Sequence, residues 1–259
     1  MINALLQRRI WLLRNNLTIS ILLTFLFPLV VFIFTNLAFR KILVRSLYDI
    51  KFDTWIYPGM IFLTAGLSIV PSIFRDIFDL RIHRKVLIYL SLSPYSKRFT
   101  VSSFIIVSLV EGIIITLVSL LIYSFITPYP FGFVETISLI SYLCIFIIVF
   151  SNLLITVSIL ADKPSTYLLS IIILIFYIIF GSGLIIEHPF FPASINYLLS
   201  LFPISMIVKA MQSYLFSGFI DWYFTIIPIL LSLAWLFING MLSMSPKLEH
   251  FSGGTKNKP

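Results

Sequence analysis

The chain has 259 residues, of which 59% are hydrophobic and 11% charged, and its net charge is +8. Ordinary soluble domains carry about 25% charged residues, so this composition excludes a typical soluble domain and indicates a membrane domain. The single cysteine, Cys144, excludes an intrachain disulfide.

The first predicted element is an N-terminal helix within residues 1–16. Ile2 and Leu13 share an apolar helical face, Arg14 lies elsewhere, and Arg9 interrupts the apolar face. This imperfect amphipathic pattern predicts an interfacial helix along the cytoplasmic leaflet. The alternative is a frayed, positively charged flank that only orients the first membrane span.

Six apolar stretches follow, and together they predict the fold class. They are Leu17–Phe39, Trp55–Phe74, Thr100–Ile126, Ile137–Ala161, Tyr167–Ile186 and Trp222–Met244. About 20 helical residues, rising 1.5 Å each, match a hydrocarbon core about 30 Å thick. The stretches are too long and too uniformly apolar for barrel strands. The sequence therefore predicts an all-α polytopic protein with a six-span domain over 17–245 and a flexible cytoplasmic tail over 246–259.

The segment between the second and third stretches, Arg75–Arg98, is predicted to be the only sizeable cytoplasmic loop. It combines six basic residues with the apolar run Val86–Leu90, and it ends at Ser93-Pro94, where a helix should break. A loop wholly in water would not need that apolar run. The run therefore predicts either a short interfacial helix or a surface for a partner protein.

Glu111 is the only charged residue within the six stretches. A charge in mid-membrane costs a few kcal/mol, so it needs a partner, a wet cavity or protonation. One hypothesis is that Glu111 lines or gates a substrate path. The other is a structural carboxyl group bonded to Ser108, Thr116 or a neighbouring span.

The segment before the last stretch, 188–221, is long, apolar and interrupted. Ile195–Leu201 and Ile204–Phe216 are too short to span, and Phe202-Pro203 separates them. This pattern predicts a re-entrant helical pair entering the outer leaflet. A pair lying flat on the surface is the alternative.

The distribution of basic residues predicts the topology. With both termini cytoplasmic, 13 of the 18 Lys and Arg residues lie inside and five outside, which is the positive-inside bias. The net charge is then explained without a nucleic-acid partner. His83, His188 and His250 are not spaced for metal ligation, and the sequence contains no phosphate-binding loop. We therefore expect no cofactor and no metal in this chain.

Several short motifs, in their order and spacing, resemble the membrane subunit of type-2 ABC exporters, the ABC-2 permease family. Tyr57-Pro-Gly-Met60 opens the second stretch like the Pro-Gly signature of that family. Leu90-Ser-Leu-Ser-Pro94 is similar to its Leu-x-x-(Ser/Ala)-Pro ending before the third span. Leu201-Phe-Pro-Ile-Ser205, followed by Lys209 to Gly218, looks like its Leu-Asn-Pro element and the Arg…Gly segment behind it, with Phe202 in place of Asn.

The resemblance implies a homodimer in the bacterial cytoplasmic membrane, bound to two copies of a soluble ABC ATPase that hold ATP and Mg. It implies no catalytic residue in this chain. The residues expected to couple to the ATPase are Arg84, Lys85, Val86, Leu87, Tyr89 and Pro94. Those expected to line or gate the substrate path are Glu111, Phe202, Pro203 and Lys209.

The substrate expected from the resemblance is an amphiphile: a drug, lipid, glycolipid or polysaccharide. Polysaccharide exporters often carry Phe-x-Arg-Asp between the fourth and fifth spans, where this chain has Ala161-Asp-Lys-Pro-Ser165. That difference favours a drug, a lipid or another amphiphile. The competing functions are an ion-coupled secondary transporter and an integral-membrane lipid-modifying enzyme. The transporter would usually show more intramembrane ionisable groups, and the enzyme would need a His, Asp or Glu cluster at a membrane face.

Overall fold

The computed structural model describes residues 1–40, 50–83, 95–128 and 130–242. Within these ranges the regular structure is helical, and six helices are long and apolar enough to cross a membrane. The predicted all-α polytopic fold is confirmed. The predicted coupling residues Arg84, Lys85, Val86, Leu87, Tyr89 and Pro94, and the tail 246–259, lie outside the described residues.

Nine α-helices make up the described chain, and three of them continue into π-helical turns. They are α1 (Ile2–Asn15), α2 (Leu17–Phe32, then a π turn Ile33–Leu37), α3 (Phe52–Ile73, then a π turn Phe74–Asp79 and Leu80–Ile82), α4 (Lys97–Ile126), α5 (Phe133–Leu160), α6 (Pro164–Phe176, then a π turn Tyr177–Gly181), α7 (Ala193–Ser200), α8 (Pro203–Ser217) and α9 (Trp222–Leu242).

The second span is longer than predicted, so part of the predicted loop Arg75–Arg98 is wrong. α3 runs through the charged residues up to Ile82, because Ile77, Phe78 and Leu80 are buried and continue its apolar face. At the other end of that segment, α4 begins at Lys97 and the Ser96 hydroxyl accepts a hydrogen bond from the Phe99 amide at 3.3 Å. Such a side-chain bond satisfies one free amide of a helix start.

α3 is the central helix of the bundle. It packs against α4 and α5, and most of its residues are buried, whereas most of α2 is exposed. The rings of Phe62 and Phe146 lie 5.0 Å apart between α3 and α5. Gly66 packs against the same Phe146 ring. A Cβ added at Gly66 would lie only 3.2 Å from a carbon of that ring. Close packing therefore fixes α3, and groups held on it have defined positions.

A polar network joins α5 to α9. Thr156 donates to the side-chain oxygen of Asn239 at 2.7 Å, and the Trp235 indole donates to Thr156 at 2.8 Å. The Asn239 amide also donates to the Asn152 backbone oxygen at 3.0 Å. Hydrogen bonds between membrane helices hold them together where lipid gives no hydrophobic drive. This network fixes the last span against the core.

The predicted short helical pair before the last span is present. α7 and α8 meet at a 94° bend at the break that contains Phe202. α8 is largely buried against α5 and α9, whereas α7 has no buried residue. The deep packing of α8 favours the re-entrant arrangement over a pair lying flat.

Candidate functional site

Two arginines of α1 meet a buried carboxylate of α3. Asp76 lies in the π-helical turn of α3, and its side chain is 3% exposed. Its Oδ2 accepts a hydrogen bond from Arg9 Nη2 at 2.6 Å, and its Oδ1 accepts one from Arg8 Nη1 at 3.2 Å. Short π segments often occur at functional sites in helices. Here the segment carries the acid that holds α1.

Glu111 of α4 completes this charged cluster. Its Oε2 lies 3.2 Å from Arg9 Nη1, and Ser72 of α3 donates a hydrogen bond to its Oε1 at 2.6 Å. Of the two hypotheses for Glu111, this geometry favours the structural one, with a neighbouring span as partner. The other partners predicted for it, Ser108 and Thr116, do not bond it: the Thr116 hydroxyl donates to the Gly112 oxygen instead.

Arg9 also explains the imperfect amphipathicity of α1. Its side chain is 9% exposed and bridges carboxylates from two different helices, so it belongs on the face that packs against the protein. Trp11, by contrast, is 65% exposed on the outer side of α1. The helix itself is thus present, and its placement at a membrane interface stays a prediction.

Glu111 lies in the middle of its helix, yet level with the start of α2. The Tyr123 hydroxyl of α4 donates to the Pro28 oxygen of α2 at 3.1 Å, which fixes the two helices side by side. From that contact, Leu17 lies about 17 Å back along α2 and Glu111 about 18 Å back along α4. If α2 spans from its first residue, the cluster lies at the edge of the hydrocarbon rather than at mid-membrane.

The end of α3 forms a second, rigid contact at the same end of the bundle. Arg81 donates to the backbone oxygens of Ile159 and Ala161, and its guanidinium lies 3.5 Å from Asp162. These oxygens belong to the last turn of α5 and the residue after it, which have no helical donor. Arg81 therefore joins the ends of α3 and α5.

Aromatic packing adds α6 to this contact. The Tyr167 ring lies 4.8 Å from that of Phe78 and 5.0 Å from that of Phe74. The chain immediately before the predicted ATPase-coupling segment is thus fixed to α5 by Arg81 and to α6 by packed aromatic rings. A force applied just after Ile82 would act on three helices together.

The remaining predicted site residues lie at the opposite end of the bundle from Glu111. Phe202 is half-exposed, with its ring 5.0 Å from that of Tyr177, and Pro203 is the first residue of α8. Lys209 places its Nζ 5.5 Å from the centre of the Phe224 ring. The structure therefore does not bring Glu111 together with Phe202, Pro203 and Lys209 in one site.

A buried irregular segment links α6 to α7 at this opposite end, and sequence analysis missed it. The fifth stretch was predicted to stay helical to Ile186, but the helix ends at Gly181, and Gly183 has φ +88°, which favours glycine. Gln212 of α8 donates to the Gly183 oxygen at 2.8 Å. Irregular backbone at membrane depth is tolerated only where protein or a cavity surrounds it.

His188 joins the two ends of this segment by a hydrogen bond to Gly181. It is 5% exposed, and its Nε2 lies 3.2 Å from the Gly181 oxygen, so the neutral imidazole donates there. Burial, and secondarily the charge of Lys209, lower the pKa of His188 to about 4. Gly183 packs directly on the imidazole, with an added Cβ only 2.6 Å from a ring carbon. The paired glycines were the available signal for this turn.

The fold and these contacts define a multi-pass α-helical membrane protein. Among the residues that the structure describes, no group of three His, Cys, Asp or Glu side chains is placed to hold a metal ion. Comparisons with protein-family models, with curated proteins and with solved structures give no match to this chain.

Proposed function

We propose that this protein is the membrane subunit of an ATP-driven exporter of the ABC-2 type. In this proposal a homodimer of the chain, with both termini cytoplasmic, binds two copies of a soluble ABC ATPase. The ATPase supplies ATP hydrolysis, and the dimer moves an amphiphile out across the cytoplasmic membrane. The observation that carries the proposal is the bent pair α7–α8 before the last span, with α8 packed into the bundle.

The close packing of Gly59, in the Pro58-Gly59 motif, supports the same proposal. Gly59 of α3 lies against the segment that leads to the bent pair, and an added Cβ would come 2.4 Å from the Leu184 oxygen. Only glycine allows this backbone approach. One of the motifs that carries the family resemblance is therefore needed for packing next to the proposed re-entrant pair.

The contacts of Arg81, Phe74 and Phe78 support a coupling role for the segment that follows. If an ATPase binds the segment of Val86, Leu87 and Tyr89, its movement would pass to α3, α5 and α6, which are joined just before it. Packed side chains, hydrogen bonds and rigid helices of this kind can carry energetic coupling between sites.

For Glu111 the proposal keeps the structural role and adds an indirect effect on gating, through α1, without a lining role. Its carboxylate joins α4 to α3 through Ser72 and to α1 through Arg9. Any movement between α3 and α4 would therefore strain the attachment of α1. Phe202, Pro203 and Lys209 are proposed as residues of the outer exit, since Phe202 lies at the break of the bent pair and the other two lie in α8.

The test is whether an ABC ATPase copurifies with the tagged chain from its own host and whether transport depends on it. Tyr89→Ala should lose the ATPase on pull-down, because burial of that ring contributes about 25 cal/mol per Å² of apolar area. Tyr223→Ala is the matched control, since Tyr223 is 61% exposed at the opposite end of the bundle. Transport without any ATPase subunit would overturn the proposal in favour of a secondary transporter.

Orientation is tested separately by cysteine labelling in a Cys144→Ser background. A cysteine at Ser217, which is exposed at the end of α8, should react with an impermeant reagent from outside. One at Ser93 should not. Outside labelling at Ser93 would contradict the topology with both termini cytoplasmic.

A further inference from the structure

The charged cluster under α1 carries an excess positive charge. Among the described residues it contains three guanidinium groups, on Arg8, Arg9 and Arg75, and two carboxylates, on Asp76 and Glu111. Both carboxylates are already engaged by the α1 arginines, at 3.2 Å or less. The formal charge of the cluster is therefore +1.

Arg75 carries the unmatched charge. It is partly buried, and its Nε is buried with no hydrogen-bond partner within the described part of the chain. It lies close enough to Arg8 and Arg9 to feel their repulsion as well as the attraction of Asp76 and Glu111. A guanidinium taken out of water is costly unless it is paired and hydrogen-bonded. Among the described residues, Arg75 therefore has no direct anionic partner.

The position of the cluster suggests which anion. Glu111 lies level with the first residues of α2, where the headgroups of one leaflet would meet a helix that spans from Leu17. Headgroup phosphates are the most abundant fixed anions at that depth. The planar fork of a guanidinium matches two phosphate oxygens, and such charge-assisted bonds are about twice as strong as neutral ones.

We propose that Arg75, together with the exposed part of Arg8, binds a phosphate group at the membrane surface beside α1. The Arg8 side chain is 29% exposed and uses one nitrogen for Asp76, so its other donors are available. The phosphate belongs to a lipid headgroup or to a soluble phosphate ester. This site is independent of the exporter proposal, because it needs neither an ATPase nor a transported substrate.

The experiment measures lipid binding to the full chain by native mass spectrometry. Phosphatidylglycerol is added to the purified protein, with diacylglycerol, which lacks the phosphate, as the comparison. Arg75→Gln is compared with Arg14→Gln, which removes the same charge from an exposed position at the end of α1. We expect Arg75→Gln to weaken phosphatidylglycerol binding roughly tenfold, and Arg14→Gln to change it by less than about twofold.

Equal losses in the two variants would show only general surface attraction and would overturn the site, as would no loss in either. If Arg75→Gln does not fold, the wild-type protein still decides: one phosphatidylglycerol retained per chain, in preference to diacylglycerol, supports the site, and no preference overturns it. Glycerol phosphate distinguishes the two sources. Displacement of the bound lipid at millimolar concentration assigns the site to a soluble phosphate ester, and retention assigns it to the headgroup.

Discussion

Asp76→Asn should detach α1 from the bundle and destabilise the protein. The substitution keeps the size of the side chain but removes the charge that two arginines share, at 2.6 and 3.2 Å. Asp76 is 3% and Arg9 9% exposed, so solvent cannot replace the lost partner. Breaking a buried pair costs about 3 to 5 kcal/mol. Because Arg9 keeps Glu111, we expect the lower end, about 3 kcal/mol.

The assay is thermal unfolding in detergent combined with limited trypsin digestion. A loss of about 3 kcal/mol corresponds to a fall in Tm of about 6 to 12 °C for a chain of this size. Trypsin should cut after Arg8 or Arg9 in the variant and not in the wild type, because α1 is released. Asp53→Asn is the control: its ion pair with Arg40 is exposed, at 60% and 37%, and should contribute less than about 1 kcal/mol.

A double-mutant cycle measures the interaction between Arg9 and Asp76. If Arg9 and Asp76 stabilise the protein through each other, Arg9→Gln combined with Asp76→Asn should cost less than the sum of the single changes, by about 1 to 3 kcal/mol. Strictly additive effects, or trypsin protection in Asp76→Asn equal to that in wild type, would refute the view that this pair holds α1.

Four further results are expected. Glu111→Gln should insert normally but change transport or its coupling to ATP hydrolysis in vesicles, and wild-type rates would show that the carboxylate is dispensable. The pKa of His188 is lowered to about 4 in the folded protein, below its unfolded value of about 6.5; its contribution to stability is therefore present above pH 6.5 and lost as the pH falls toward 4. His188→Gln should flatten that part of the profile of Tm against pH. Asn239→Leu should lower stability by about 0.6 to 1.7 kcal/mol, measured by thermal unfolding, because it removes the bonds to α5. Gly59→Ala should sharply reduce the folded yield on size-exclusion chromatography, since its Cβ would come 2.4 Å from the Leu184 oxygen and that oxygen belongs to the backbone; a normal yield would mean that the segment can move away.

The spans were predictable because a long apolar stretch has few alternatives once its backbone must be paired internally. The far end of α3 was not, since Arg75–Arg81 resembles a polar loop when their partners are unknown. Arg9 and Glu111 are about a hundred positions apart, and no local pattern links them. The sequence showed that a charge at Glu111 needs a partner and that Arg9 interrupts the apolar face of α1. It could not show that the two residues pair with each other.

The buried segment around His188 was missed for a different reason. A lone histidine carries no signal of its own, and Gly181 and Gly183 lay inside a stretch whose apolarity predicted a continuous helix. The turn is stabilised by tertiary bonds, from Gln212 and from His188 itself, rather than by a local motif. Contacts of this kind appear only when the helices are packed.

The long separation between the α1 arginines and their acids sets an order of events during synthesis. Arg8 and Arg9 leave the ribosome first, and Asp76 follows 68 and 67 positions later. At about 5 to 20 residues per second, Glu111 emerges roughly 5 to 20 s after Arg9. During that interval both cations lack these partners, and if the N-terminus is cytoplasmic, as proposed, they can orient the first span as it inserts. Once the third span has been made, the same two charges pass to Asp76 and Glu111. Under the proposed topology, the charges that orient the first span during insertion later hold α1 to the finished bundle.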